Sequence, residues 1–359
     1  MAGSLVEAPI GAARTYGPQH DAKLREQQLL TSTTIALNFY FVVSSRSATE
    51  GTPLVPSIDL TGKVAVVTGS GRGLGLAYAQ ALAAAGACVV VNDIDEAVAE
   101  AAVKSITEAG GKAVAEVVAV GTTEAADRLV GRAVEQFGRL DILVTNAGIL
   151  RDKVLWKMSD DDFDAVITTH LKGTFTCARA AAIRMREQGE GGTLILVGSP
   201  AGQRGNFGQT NYSAAKAGIA AFARTWAMEL GRANITVNTI VPVAATAMTE
   251  TIPVFAPYVE ALREGKPFPD FLRKGEGFGT PEDCAALVPF LASEAARGVT
   301  GQAIGIGGDK VALWSHPQEI KAAYANGGWT PEALADVWPT SLGAEPQTVG
   351  VPAPKIPEA

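Results

Sequence analysis

Apolar and polar positions alternate between two kinds of segment over most of this chain. Short apolar runs rich in valine, isoleucine and leucine fall at 62–68, 87–92, 112–119, 141–145, 192–198, 234–240 and 301–306 and read as strands. Longer stretches at 73–86, 95–109, 123–137, 159–187, 208–231 and 281–293 read as helices. Ser159 with Asp162 has the form of a capping box, and Thr280 stands before Pro281 as a capping threonine before an N1 proline. Seven strands joined by helices predict an α/β chain with a doubly wound, seven-stranded parallel sheet.

Three regions depart from this alternation. Residues 242–280 carry Pro253, Pro257, Pro267 and Pro269 among Phe255, Tyr258, Phe268 and Phe271. An insertion of this length reads as a lid whose aromatics either wall an apolar pocket or anchor the loop to the domain. Residues 1–57 form an N-terminal extension without a place in the sheet; its apolar run at 35–43 is too short to span a bilayer and too far from Met1 for a good signal peptide. The domain proper is expected over 58–312 and a C-terminal tail over 313–359. In the tail, 318–325 reads as a helix, a second capped helix starts at Thr330, and the Pro-rich end is extended. Trp314, Trp329 and Trp338 predict that part of the tail docks on its own or a partner subunit.

With 359 residues, 47% hydrophobic content and 39 glycines, the chain can bury one large α/β core. A net charge of −7 argues against nucleic acid as a partner. Cys88, Cys177 and Cys284 are scattered without ligand spacing or pairing, which predicts a reducing compartment, the cytoplasm by default. His20, His170 and His316 are equally scattered, so no metal centre is expected.

Chemistry concentrates in two places. After the first strand comes Thr68-Gly69-Ser70-Gly71-Arg72-Gly73-Leu74-Gly75, a glycine loop opening a helix. Residues without Cβ let backbone amides approach a pyrophosphate, and the helix N-terminus attracts its charge. The next strand ends at Asp93, 18 residues beyond Gly75, where a carboxylate can bind both adenosine ribose hydroxyls and repel a 2′-phosphate. Asp93 therefore favours NAD, while Arg72 in the loop favours NADP; the direct repulsion at Asp93 decides for NAD.

In the second place, Tyr212 and Lys216 stand four residues apart, on one face of a helix, 13 residues after Ser199 at the end of a buried strand. A free tyrosine titrates near ~10, and an adjacent ammonium is expected to lower that value toward a working range. A Tyr-x-x-x-Lys pair alone is common on ordinary helices; its position after a strand-ending serine and downstream of a dinucleotide loop gives it meaning.

Together these motifs resemble the short-chain dehydrogenase/reductase family over about residues 57–312. Thr145-Asn146-Ala147-Gly148 is similar to the family's N-N-A-G, and 300–308 looks like its last strand. Residues 148–152 and 205–212 look most like the (3R)-hydroxyacyl-CoA dehydrogenase units of multifunctional β-oxidation enzymes. The resemblance implies a Rossmann-type fold, with the cofactor held by Thr68, Gly69, Gly71, Arg72, Gly73, Leu74, Gly75, Asp93, Asn146, Ala147, Gly148, Tyr212 and Lys216. It implies Tyr212 as proton acceptor, Ser199 holding the carbonyl or alkoxide oxygen, and Lys216 tuning the phenol. The family's active-site asparagine corresponds to His170, read either as a proton relay or as a packed helix residue. Thr145 and Val243 are further departures from the pattern.

The resulting expectation is an NAD-dependent oxidoreductase acting on a secondary alcohol or ketone, with a 3-hydroxyacyl-CoA or a hydroxysteroid as substrate, in a homodimer or homotetramer without a membrane span. The alternatives are an NADP-dependent ketoreductase and a catalytically idle nucleotide-binding scaffold or redox sensor.

Overall fold

The computed structural model describes residues 58–246 and 255–352. The expectations for 1–57, and for Pro253 in the insertion, lie outside the described residues.

Eight strands form one sheet in the order β3-β2-β1-β4-β5-β6-β7-β8. They are β1 (Val64–Val67), β2 (Cys88–Asp93), β3 (Lys112–Val117), β4 (Ile142–Thr145), β5 (Gly192–Val197), β6 (Ile235–Pro242), β7 (Ala303–Gly307) and β8 (Lys310–Trp314). The first seven pair in parallel, in agreement with the predicted doubly wound fold. The eighth corrects the count: β8 runs antiparallel to β7 after a link of only Gly308 and Asp309, with Gly307 opposite Lys310. Its residues read as tail because Val311 and Leu313 stay exposed and no helix follows to mark another crossover.

Successive strand residues serve opposite faces of the sheet. Ala65, Val67, Val89 and Val91 belong to the core shared with the helices Gly73–Ala84, Glu96–Glu108 and Pro281–Ala285. Val64, Val66, Leu194 and Leu196 belong to the core beneath Thr123–Phe137, Gly173–Gln188 and Thr210–Leu230. Burying each such side chain contributes about 1.5–3 kcal/mol, which makes both faces of the central strands indispensable. The chain winds outward from β1 to β3 and then returns to place β4 on the other side of β1. That reversal opens a crevice at the carboxyl ends of β1 and β4.

Several local expectations change. The single helix expected over 159–187 is two α-helical pieces, Asp160–Val166 and Gly173–Gln188, joined by a π-helical turn at Ile167–Lys172 that contains His170. The helix expected over 281–293 breaks into Pro281–Ala285 and Leu287–Ala292. Pro289 has no N–H to donate to the carbonyl of Ala285, so the run cannot continue as one ladder. Residues 318–325 are not helical. Ile320 and Tyr324 are exposed, and so short a helix is not stable without a buried face. The helix Pro331–Val337 does form, capped by Thr330, whose hydroxyl accepts from the Ala333 amide at 3.2 Å.

Within the insertion, Phe255 stacks on Phe278 with ring centroids 4.3 Å apart, Phe268 meets the same ring at 5.2 Å, and Tyr258 meets Phe271 edge-on at 5.7 Å. Phe268 and Phe278 are buried with Val259 and Leu272 in a small core of their own. These aromatics hold the insertion together by packing on one another.

Candidate active site

Thr68 is the knot that draws the ends of β1 and β4 together. Its Oγ1 accepts from the amides of Asn146 at 3.0 Å and Ala147 at 3.1 Å. Asn146 returns the tie, its Nδ2 donating to the carbonyls of Thr68 (3.1 Å) and Gly69 (2.9 Å). By this geometry the Asn146 amide group holds the glycine loop from behind. Asn92, which sequence reasoning missed, ties the loop to the next two strands. Its Oδ1 accepts from Gly69 N at 3.2 Å, and its Nδ2 donates to the carbonyls of Glu116 and Val118. The available signal was an asparagine standing just before the acid at the end of β2.

Two glycines in the loop are dictated by space. Gly69 has φ +59°, and a Cβ there would lie 2.7 Å from Ala147 Cα. At Gly71 a Cβ would lie 2.6 Å from Asp93 Oδ2, so only glycine lets the loop pass this carboxylate. Asp93 is buried, and its Oδ1 accepts from the amides of Ile94 (2.8 Å) and Asp95 (3.3 Å), which leaves Oδ2 facing the loop. Arg72 is exposed at the N-cap of Gly73–Ala84, a helix with no side-chain cap and no acid in its first turn. Gly73, half-buried Leu74 and buried Gly75 complete that first turn. An uncapped helix start behind a loop that cannot accept Cβ atoms fits a dinucleotide pyrophosphate, with Asp93 in place for a ribose.

Ser199 caps the short helix Pro200–Arg204, and its Oγ accepts from the Ala201 amide at 3.2 Å. Tyr212 stands in the first turn of Thr210–Leu230, with its phenol near enough to Ser199 for the serine hydroxyl to favour ionisation. Lys216, one turn on and buried, donates from Nζ to Val197 O at 2.6 Å and lies 5.6 Å from the Tyr212 ring centroid. The helix Pro200–Arg204 lies so close to Thr210–Leu230 that a Cβ on Gly202 would sit 2.5 Å from the Lys216 carbonyl carbon. Asn211, also missed, is fully buried and sets the start of the longer helix. Its Nδ2 donates to the carbonyls of Arg151 and Asp162, and its Oδ1 accepts from Tyr212 N at 2.8 Å.

His170 packs edge-on against Tyr212, ring centroids 5.2 Å apart. Its Nε2 lies 3.0 Å from Ile149 N and 2.8 Å from Ile149 O, so either neutral tautomer that uses Nε2 finds a partner there. Nδ1 is buried without a hydrogen-bond partner among the described residues. Gly148 leaves room for this ring: a Cβ there would lie 2.2 Å from His170 Cε1. Burial, and then the charge of Lys216, push the imidazole down to about 3. An imidazole this hard to protonate does not relay protons as imidazolium.

Lys216 is expected to lower the phenol, and burial acts on the phenol in the opposite direction. Burial raises the Tyr212 phenol; the Ser199 hydrogen bond opposes the rise, and the charge of Asp152 adds to it. Lys216 is itself pushed down to about 7 by burial. Desolvation is the largest influence on both groups. The arrangement is a neutral phenol paired with a serine hydroxyl, able to donate a proton to a ketone oxygen or, once ionised, to take one from an alcohol.

The family model described as enoyl-(acyl carrier protein) reductase matches residues 69–308. The hydroxyacyl-CoA dehydrogenase ChsB1 of Mycobacterium tuberculosis is 43% identical over 289 residues, covering 77% of this chain and 87% of that protein. Peroxisomal multifunctional enzyme type 2 of Mus musculus is 38% identical over 302 residues, which are 80% of this chain but only 38% of that longer protein. A crystal structure of a short-chain dehydrogenase from Mycobacterium avium superposes with a TM-score of 0.71 at 39% identity, covering 82% of this chain and 99% of that one. With a knotted glycine loop and a Ser-Tyr-Lys cluster on one sheet, and relatives of this identity and coverage, the chain belongs to the short-chain dehydrogenase/reductase family and is an oxidoreductase.

Proposed function

We propose that this protein is an NAD-dependent dehydrogenase that oxidises the secondary alcohol of a 3-hydroxyacyl-CoA thioester. The observation that carries the reading is the gathering of Ser199, Tyr212 and Lys216 at the ends of two adjacent helices, on the sheet that carries the glycine loop and Asp93. An idle scaffold would have no need of a half-buried phenol and serine hydroxyl beside a buried lysine. NAD supplies the hydride acceptor. Tyr212 as phenolate takes the hydroxyl proton, Ser199 donates a hydrogen bond to the substrate oxygen, and Lys216 holds the cofactor ribose and steadies the phenolate. His170, held at Ile149, braces the Tyr212 ring.

The thioester assignment draws on the similarity to the mycobacterial relative named a hydroxyacyl-CoA dehydrogenase and to the mouse multifunctional enzyme. A substrate with a long acyl and CoA portion supplies remote binding energy that orients the carbinol. Steady-state assays with 3-hydroxyacyl-CoA thioesters, hydroxysteroids and short free alcohols at equal NAD test this. The medium-chain thioester is expected to exceed short alcohols in kcat/KM by about 10²-fold or more. Highest kcat/KM on the short alcohols would overturn the reading; turnover of steroids alone would keep the dehydrogenase and remove the thioester.

The pH dependence follows from the raised phenol. Oxidation needs Tyr212 ionised, so its rate is expected to climb with pH from neutrality into the alkaline range, while ketone reduction, which needs the phenol protonated, holds its rate there. His170 is neutral throughout and adds no limb near ~6.5. Initial rates in both directions, between about pH 6 and about pH 10, check this, and an oxidation limb that vanishes in His170→Asn would contradict it.

Unpaired on its outer edge, β8 exposes Val311 and Leu313, which supports self-association as a homodimer or homotetramer. Cys88, Cys177 and Cys284 are free thiols, in keeping with a cytoplasmic setting. Among the described residues no helix is long and apolar enough to cross a membrane.

A further inference from the structure

The C-terminal tail returns to the active site through one residue. Arg204 ends the five-residue helix whose N-cap is Ser199. Its carbonyl accepts from the Gly350 amide at 2.8 Å, its Nε donates to the Gly350 carbonyl at 2.8 Å, and its Nη2 donates to Thr348 Oγ1 at 3.0 Å. The guanidinium thus acts as a second strand edge, reading the backbone of an extended segment that lies 146 residues further along the chain. Among the described residues, every hydrogen bond that holds 346–352 ends on Arg204, and the Arg204 side chain makes no others. Gly350 has φ +87°, a left-handed conformation that side chains oppose.

This contact adjoins a loop of the site. Immediately after Arg204 comes the loop that joins Ser199's helix to Tyr212's, bounded by Gly205 (φ +76°) and Gly208 (φ +78°). The loop touches the opposite rim, where Lys153 N donates to Gly208 O at 2.8 Å and Gln209 Nε2 donates to Asp152 at 2.7 Å. Phe207 in the loop is 86% exposed and Val349 in the tail is 89% exposed, each within three residues of the Arg204–Gly350 pair. Phe207 lies between Ser199 and Tyr212 in sequence, and Val349 adjoins the Gly350 that Arg204 holds, so each contact partner has a bare apolar neighbour. Through Thr348 and Gly350 the tail segment thus lies against the residue that opens this loop.

We infer that Arg204 is a specificity-determining positioning residue. By clamping residues 348–350 it makes the C-terminal strap part of the rim that receives the extended, apolar portion of a thioester substrate. This rests on the thioester reading above. In the unliganded protein, Arg204→Ala is expected to speed amide exchange at Gly350 about tenfold. Unchanged exchange would overturn the clamp whatever the substrate is.

Kinetics then test the specificity role. In Arg204→Ala and in Gly350→Val, KM for a medium-chain 3-hydroxyacyl-CoA is expected to rise about tenfold with kcat within about twofold, short alcohols being unaffected. The two substitutions combined are expected to be no worse than either alone. Arg204→Lys, which keeps the charge and loses the planar fork, is expected to behave like Arg204→Ala. Wild-type KM in Arg204→Lys would show a simple attraction to the CoA phosphates and overturn the inference, as would wild-type KM in Gly350→Val. If the unmodified enzyme turns over steroids and no thioester, the thioester reading fails; the same KM comparison on the steroid then decides the strap by itself.

Discussion

Tyr212→Phe is expected to lower turnover by about 10²-fold or more while NADH binding stays within about twofold. The substitution removes one oxygen from a side chain whose ring is otherwise held by its surroundings. The edge-on contact with His170 and the position of Lys216 over the ring face depend on the ring alone, so the helix start set by Asn211 should survive. What disappears is the group that exchanges a proton with the substrate oxygen, together with the partner of Ser199. The loss should therefore fall on kcat, and equally on oxidation and reduction, because the same proton moves in both directions. Stopped-flow measurement of NADH binding beside steady-state rates separates the two quantities. Turnover within a few-fold of the unmodified enzyme would be decisive against Tyr212 as the proton-transfer group.

Asp93→Ala is expected to reduce the preference for NAD over NADP by about 10²-fold, measured as the ratio of kcat/KM for the two coenzymes. The carboxylate is buried, one oxygen is committed to two turn amides, and the other faces the backbone at Gly71. A ribose hydroxyl can donate to that second oxygen. A 2′-phosphate in the same place brings two negative charges together where solvent screens them poorly, a repulsion on the order of several kcal/mol. Arg72 is exposed at the adjoining helix cap and is free to meet the phosphate once the carboxylate is gone. Comparable kcat/KM for both coenzymes in the unmodified protein would show that Arg72 governs the choice instead.

Short-range spacing carried most of the site in the amino-acid sequence. Tyr212 and Lys216 share a face because a helix turns once in nearly four residues, and the loop at 68–75 is marked by glycines whose lack of Cβ has a local cause. The seven parallel strands were likewise legible, since runs buried on both faces must be apolar throughout. Tertiary structure decided what depends on partners far along the chain. β8 is a strand only because β7 lies beside it, and residues 318–325 are not a helix because nothing covers Ile320 and Tyr324. Asn146, Asn92 and Asn211 act as ties between loops that no sequence interval brings together. The aromatics of the insertion proved to be its own core, a distinction that their spacing does not contain. Burial set the direction of the Tyr212 phenol, because the cost of removing charge from water grows with every element packed around it, and those elements are assembled only in the fold.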